Sequence, residues 1–299
     1  MNMKEIPWVS AGRKARILGG GASDPKDRRC KVLSLVASRQ DGYPDVKVSI
    51  EGEERVLRPW QLVDESFKSS HRCRSLAPGL KFFEWQGYEN NGNSIILEEG
   101  DSKVIVDSGH FHLLGSLLVA LDAEGIGLGS LKAALFTHCH PDHFDSAGLL
   151  YQAGLRIGMG PREKEYLTGD GGALFRFFGA DIPEIAIDIS LDAGDQSVEG
   201  FAFKIFNTPG HSPGSVSLYW KDRKALCVGD VVFPGGAFGR CDFPGGSYRT
   251  LLESFGAFDG LDVDYLLSGH GPAVAGAADV KESIESSRSN LRTVIFSPY

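Results

Sequence analysis

The chain lacks any apolar run long enough to span a bilayer, although 42% of its 299 residues are hydrophobic. Its start, "MNMKEIPWVSAGRKARILGGG", lacks the continuous apolar stretch and small-residue cleavage site of a secretory signal. Cysteine is scarce. The five (Cys30, Cys73, Cys139, Cys227, Cys241) are odd in number, widely scattered and without a CxxC pair. That argues against a disulfide framework and against a cysteine-based zinc knuckle. There is no short-period repeat and no low-complexity tract. The expectation is a cytoplasmic protein without a membrane segment, built on one large core or two unequal ones.

Charge is present but unevenly spread. Residues 1–80 carry 15 Lys/Arg against 10 Asp/Glu, whereas residues 81–299 carry 16 against 29. The asymmetry suggests two units, 1–78 and 79–299. In the first, "KVLSLVAS" (31–38) and "DVKVSIEG" (45–52) have strand-type spacing, and "EGEE" (51–54) reads as a turn into "RVLRPWQLV" (55–63). With a Gly-rich start (Gly19, Gly20, Gly21) these strands could form a small, mostly-β module, with an SH3-like barrel as one form. Arg13, Lys14, Arg16, Arg28, Arg29 and Lys31 could meet a phosphate backbone, and Trp8, Tyr43 and Trp60 could offer stacking faces. The blander reading, a core Trp60 and a wetted basic surface, is favoured because the net charge is modest. Nucleic-acid or protein contact through 1–78 is the expectation that tests it.

After residue 80 strands alternate with helices. "KFFEW" (81–85), "NSIILEE" (93–99), "KVIVDSG" (103–109), "LKAALFTH" (131–138) and "RIGMG" (156–160) read as strands, as do "FKIFNTPGH" (203–211), "SVSLYW" (215–220), "KALCVGD" (224–230) and "DYLLSGH" (264–270). Helical spacing is found over 113–125, 146–153, 161–167, 247–258 and 277–292. The pattern predicts an α/β layered domain. Several of the strands end in a polar residue set against glycine or proline: His138, His211, Asp230 and His270. Side chains held at the ends of rigid strands can converge on one point.

"FTHCHPDHFDSAG" (136–148) holds three of the eight histidines. His138 and His140 are two apart at a strand end, followed by Asp142 and His143, with Pro141 limiting the backbone. Imidazole nitrogen and carboxylate oxygen are both zinc donors. A lone histidine is more often a core or surface residue than a ligand. Here, however, HxHxDH is followed in order by His211 in "TPGHSPGS", Asp230 in "VGDVVF" and His270 in "SGHGP". This series resembles the metallo-β-lactamase superfamily over about residues 81–275, and the order and spacing of four separated motifs make the resemblance specific.

The resemblance implies a four-layer αββα fold and a binuclear metal centre of two divalent ions, zinc first, with iron or manganese as alternatives. His138, His140 and His211 would bind one ion. Asp142, His143 and His270 would bind the other, and Asp230 would bridge them. It implies a hydrolase acting on a small molecule through a metal-bridging hydroxide, with Asp142 also orienting that nucleophile. Asp107, ending a strand, could accept a hydrogen bond from a ligand imidazole. Cys139 should point to the sheet side.

"FPGGAFGRCDFPGGS" (233–247) is similar to a segment of short glyoxalase-II-like thioesterases, with Arg240 and Asp242 as candidate substrate residues. His110 and His112 are candidates from the loop after Asp107. A glutathione-binding helical extension is not seen in the 29 residues after His270, so the acyl carrier stays open. A phosphodiesterase or nuclease recruited by residues 1–78 is the first alternative, and a lactonase the second. With 18 residues between His211 and Asp230 and 39 between Asp230 and His270, the large insert of the RNA-processing branch does not fit.

Overall fold

The computed structural model describes residues 5–18, 29–36 and 42–296; the expected Gly19–Gly21 start and Arg28 lie outside them. Five strands come first: β1 (Lys14–Ile17), β2 (Arg29–Val36), β3 (Asp45–Ile50), β4 (Glu53–Leu57) and β5 (Leu62–Asp64). They form an antiparallel sheet in the order β4-β3-β2-β1-β5. Glu51 and Gly52, both with positive φ, make the two-residue turn between β3 and β4. Val46 and Val48 face inward while β4 is a charged outer edge.

The second sheet holds β6 (His71–Ala77), β7 (Leu80–Trp85), β8 (Ser94–Glu99), β9 (Ser102–Val106), β10 (Ala133–Phe136), β11 (Arg156–Met159) and β12 (Ile189–Ser190), in the order β12-β11-β10-β9-β8-β7-β6. From β6 to β9 it is an antiparallel meander, and β9 to β12 run parallel. The parallel half needs crossovers, supplied by α1 (Leu114–Ala123), by α2 (Pro141–Phe144) with α3 (Ala147–Gln152), and by α4 (Pro161–Thr168) with α5 (Asp170–Phe177). The third sheet runs β13 (Gly194–Val198), β14 (Phe201–Asn207), β15 (Val216–Trp220), β16 (Ala225–Gly229), β17 (Tyr265–Ser268), β18 (Val274–Ala275) in chain order. Only its β16–β17 pair is parallel, with α6 (Tyr248–Ser254) in the connection; α7 (Ala277–Phe296) closes the chain.

Alternation along each strand sorts side chains into three cores. Leu135, Val104, Val106 and Leu97 of the second sheet meet Phe203, Leu218, Trp220 and Leu267 of the third. Their neighbours Ala134, Phe136, Ile105 and Ile96 face the other way, onto Leu117, Leu121 and Leu150 of α1 and α3. Leu226, Val228 and Leu266 face Leu251, Val280, Ile284 and Leu291 of α6 and α7. The result is the expected helix–sheet–sheet–helix order. Strands buried on both faces read as continuous apolar runs, which made them legible.

The N-terminal sheet is bound into this body. Trp8 is fully buried, donates from Nε1 to the Pro59 carbonyl at 3.1 Å and sets its ring 5.5 Å from Phe111. Gly115 of α1 lies so close that a Cβ there would come within 2.5 Å of Trp8. Tyr43 packs on Phe111 at 5.7 Å, and one apolar core contains Trp8, Val46, Leu117 and Leu150 together. The stacking faces expected on Trp8 and Tyr43 are therefore used inside the protein. Trp60 is half-buried beneath the Arg58 guanidinium. The boundary expected at 78 falls in the turn of the β6–β7 hairpin, so residues 71–77 belong with the second sheet. No helix among the described residues is long and apolar enough to cross a membrane.

Candidate metal centre

Strand ends from the two large sheets meet at one edge. β10 delivers Thr137 and His138. Pro141 then starts α2, so that His140 precedes it in extended conformation and Asp142 and His143 ride on its single turn. The turn after β14 carries His211, β16 leads to Asp230, and β17 leads to Gly269 and His270. Two glycines make the approach feasible. A Cβ on Gly269 would lie 2.1 Å from Asp230 Oδ1, and Gly210, at φ +135°, sits 2.4 Å from the Leu251 backbone by the same measure.

The seven expected residues are brought together. The donor atoms of His138, His140 and His211 lie within 4.8 Å of one another, as do those of His138, His143 and Asp230, and those of Asp142, His143 and His270. Asp230 is shared: Oδ1 is 3.3 Å from His143 Nε2, and Oδ2 is 3.5 Å from His211 Nε2 and 3.4 Å from His270 Nε2. His270 Nε2 is also 3.3 Å from Asp142 Oδ2.

Surrounding hydrogen bonds decide which ring nitrogens face inward. Asp107, at the left-handed φ of +54°, accepts from the Thr137 amide at 2.9 Å, the Thr137 hydroxyl at 2.8 Å and His143 Nδ1 at 2.9 Å. Such a backbone geometry in a non-glycine residue is a strain found at functional sites. The Thr137 hydroxyl, its one proton spent on Asp107, accepts from His138 Nδ1 at 3.0 Å. His211 Nδ1 donates to the Arg240 carbonyl at 2.6 Å. Lone pairs of His138 and His211 Nε2 are thus aimed at each other 3.2 Å apart, with His140 Nδ1 only 2.7 Å from His211 Nε2.

Charge follows the same division. Burial pushes His138 well down, and burial with His211 beside it pushes His140 to about 3. For His143 and His270 burial acts in the same direction but loses to carboxylates: Asp230 and Asp107 hold His143 well above its ordinary value, and Asp230 with Asp142 lifts His270 to about 10. Burial would raise Asp142 and Asp230, yet the neighbouring imidazoles hold both well below the usual carboxylate range. His143 Nε2 and Asp230 Oδ1 are buried without a hydrogen-bond partner. Converging lone pairs and unpartnered buried atoms are what a cation satisfies, so the donor set fits divalent metal.

A cleft of about 460 Å³ opens above, lined by Asn90, His140, Asp142, His211, Asp230, His270 and Arg240 and walled by Phe178, Phe233, Phe238 and Phe243. Of the expected substrate residues, Arg240 is in this lining. Asp242 is paired with Arg240 at 2.6 Å on the surface, and His110 and His112 stand on the loop after β9. Cys139 is fully buried, and burial with Glu163 beside it pushes its thiol well up.

Two supports were not read from sequence. Glu163 of α4 is fully buried and accepts from the Cys139 amide at 2.8 Å, the Ser212 hydroxyl at 2.8 Å and the Gly214 amide at 2.9 Å, tying the two histidine loops together. Asn90 donates to Asp142 Oδ2 at 2.6 Å, while Asn93 donates to the Ser268 and Gly271 carbonyls at 3.0 and 2.8 Å and braces the His270 turn. Glu163 carried no signal, but "ENNGN" (89–93), with three asparagines before a strand, was one.

The family model of the metallo-beta-lactamase superfamily matches residues 87–270, which contain all seven converging side chains. The chain belongs to the metallo-beta-lactamase superfamily. Within it, this metallo-hydrolase is 31% identical over 182 residues to hydroxyacylglutathione hydrolase GloC of Haemophilus influenzae, covering 56% of this chain and 77% of that protein. It is 32% identical over 125 residues to the human mitochondrial persulfide dioxygenase ETHE1, covering 42% of each. Among solved structures, TTHA1623 in a di-iron-bound form aligns with TM-score 0.54 at 28% identity, over 65% of this chain and 94% of that one.

Proposed function

We propose that this chain is a thioester hydrolase working through two divalent ions, one held by His138, His140 and His211, the other by Asp142, His143 and His270, with Asp230 shared. The observation that carries it is the convergence of these side chains on the floor of an aromatic cleft whose lining includes the guanidinium of Arg240. When bound, such ions lower the pKa of water from ~15.7 towards ~7 and stabilise negative charge on a carbonyl oxygen. The chain's own residues do the rest. Asp107 and Thr137 keep Nε2 of His143 and of His138 aimed inward. Asp142, ionised and fixed by Asn90, orients the attacking water by accepting a hydrogen bond from it. Phe178, Phe233, Phe238 and Phe243 exclude solvent and receive an apolar acyl group, and Arg240 at the mouth meets an anionic carrier.

A nucleic-acid backbone would call for several cations along the cleft, which weighs against the phosphodiesterase reading. The similarity to GloC supports a thioester, and zinc or iron suits the donor set. The test is turnover by the metal-loaded chain of S-lactoylglutathione, an acyl-CoA, a homoserine lactone, bis-p-nitrophenyl phosphate and, with oxygen, glutathione persulfide. Thioesters are expected to lead. Turnover confined to the phosphodiester or the persulfide would overturn the proposal.

A further inference from the structure

Three side chains outside the cleft lining form a second group of donors. His110 and His112 stand two positions apart on the turn after β9, their rings 5.2 Å apart and tilted by 41°. Asp145, following α2, brings Oδ2 to 3.7 Å from His110 Nδ1, and donor atoms of His110, His112 and Asp145 all lie within 4.8 Å of one another. Glu89 stands beside this group, with Oε2 hydrogen-bonded to His112 Nε2 at 2.9 Å. His110 and Asp145 are largely buried, while His112 and Glu89 are 48% and 66% exposed, so solvent can fill a remaining position.

We infer that His110, His112 and Asp145, with Glu89 holding His112, form a separate binding site for a borderline-soft divalent cation such as zinc, distinct from the cluster around Asp230. Zinc–ligand bonds of about 2.0–2.1 Å put tetrahedral donors roughly 3.3 Å apart. The 3.7 Å between His110 and Asp145 is too long for a hydrogen bond and close to the spacing of two donors flanking one ion. Two imidazoles select zinc, nickel or copper over calcium or magnesium, which take oxygen. Asp145 Oδ2 already accepts from the Phe111 amide at 2.9 Å, which fixes its direction and leaves a lone pair for a metal.

The supporting backbone is also held in advance. Trp85 Nε1 donates to the Glu89 carbonyl at 2.7 Å, and the His110 amide donates to Asn91 Oδ1 at 2.7 Å, so the Glu89 loop and the His110 turn are already joined. Little ordering remains to be done on binding. An ion there braces the loop that carries Asn90, the partner of Asp142.

The test is calorimetric titration with zinc chloride of the full chain, after its tighter ions are loaded and excess metal is removed. Wild type takes up one further ion. His112→Ala, at an exposed position, weakens that uptake at least about tenfold and Glu89→Gln weakens it less, with melting temperatures in the absence of added zinc unchanged. His140→Ala, which alters only the main cluster, retains the further ion. No further uptake by wild type, an unchanged isotherm in His112→Ala, or loss of the further ion in His140→Ala would overturn the assignment. None of these results depends on which substrate the cleft accepts.

Discussion

Asp107 and Glu163 act on the centre without standing in its cleft. Asp107 aligns Thr137, His143 and, through the Thr137 hydroxyl, His138. Asp107→Ala is expected to lower metal affinity and kcat/KM by roughly 10–100-fold while the chain stays folded, measured by chelator competition and steady-state kinetics. Glu163→Ala leaves the Cys139 and Gly214 amides and the Ser212 hydroxyl without their acceptor. It should cost on the order of 3 kcal/mol in urea unfolding, with Glu163→Gln recovering part of this. The histidines were legible because each follows an apolar strand and is braced by glycine or proline. Glu163 was not, since in "PREKEYL" it stands two positions from exposed Glu165 and nothing in the pattern distinguishes them.

Among the elements, strands covered on both faces announced themselves as apolar runs and several one-sided strands by alternation, but β6 did not. β6 alternates poorly because most of its residues are half-buried. α5 is masked by Gly171 and Gly172 in its first turn, where Gly171 admits the Tyr166 ring: a Cβ would stand 2.8 Å from it. β6 also carries a titrating side chain. Burial pushes His71 down to about 4, and its Nδ1 lies 3.0 Å from the Ser116 hydroxyl of α1. An unfolded histidine titrates near 6.5, so the unfolded chain takes up the proton first. The contribution is fully present above about pH 6.5 and is lost as pH falls towards 4, by at most about 3 kcal/mol. Melting curves of wild type and His71→Gln between pH 7.5 and 4.5 should converge as the pH falls; parallel curves would contradict this.

For the whole molecule, charge asymmetry suggested two units, the strand and helix pattern predicted an α/β layered domain for the larger one, and the family resemblance implied its four-layer order. The shared core was not legible, because no local pattern announces that Trp8 will lie against Gly115. Trp8→Ala is therefore expected to destabilise the entire chain by about 3–5 kcal/mol in a single transition. Removal of residues 1–75 would strip β6 from the second sheet and uncover Phe111 and Leu117, so the truncated chain is expected to lose cooperative melting by calorimetry. A truncated form that melts cooperatively and turns over substrate normally would mean that the small sheet is an appendage. The carboxylate of Glu163, gripping both histidine loops from behind, has a further result. A vessel with internal struts keeps its shape when drained. Dialysis against a chelator should leave far-ultraviolet dichroism unchanged, and refilling with iron, manganese or zinc should need no refolding, so that supply rather than architecture sets the cargo.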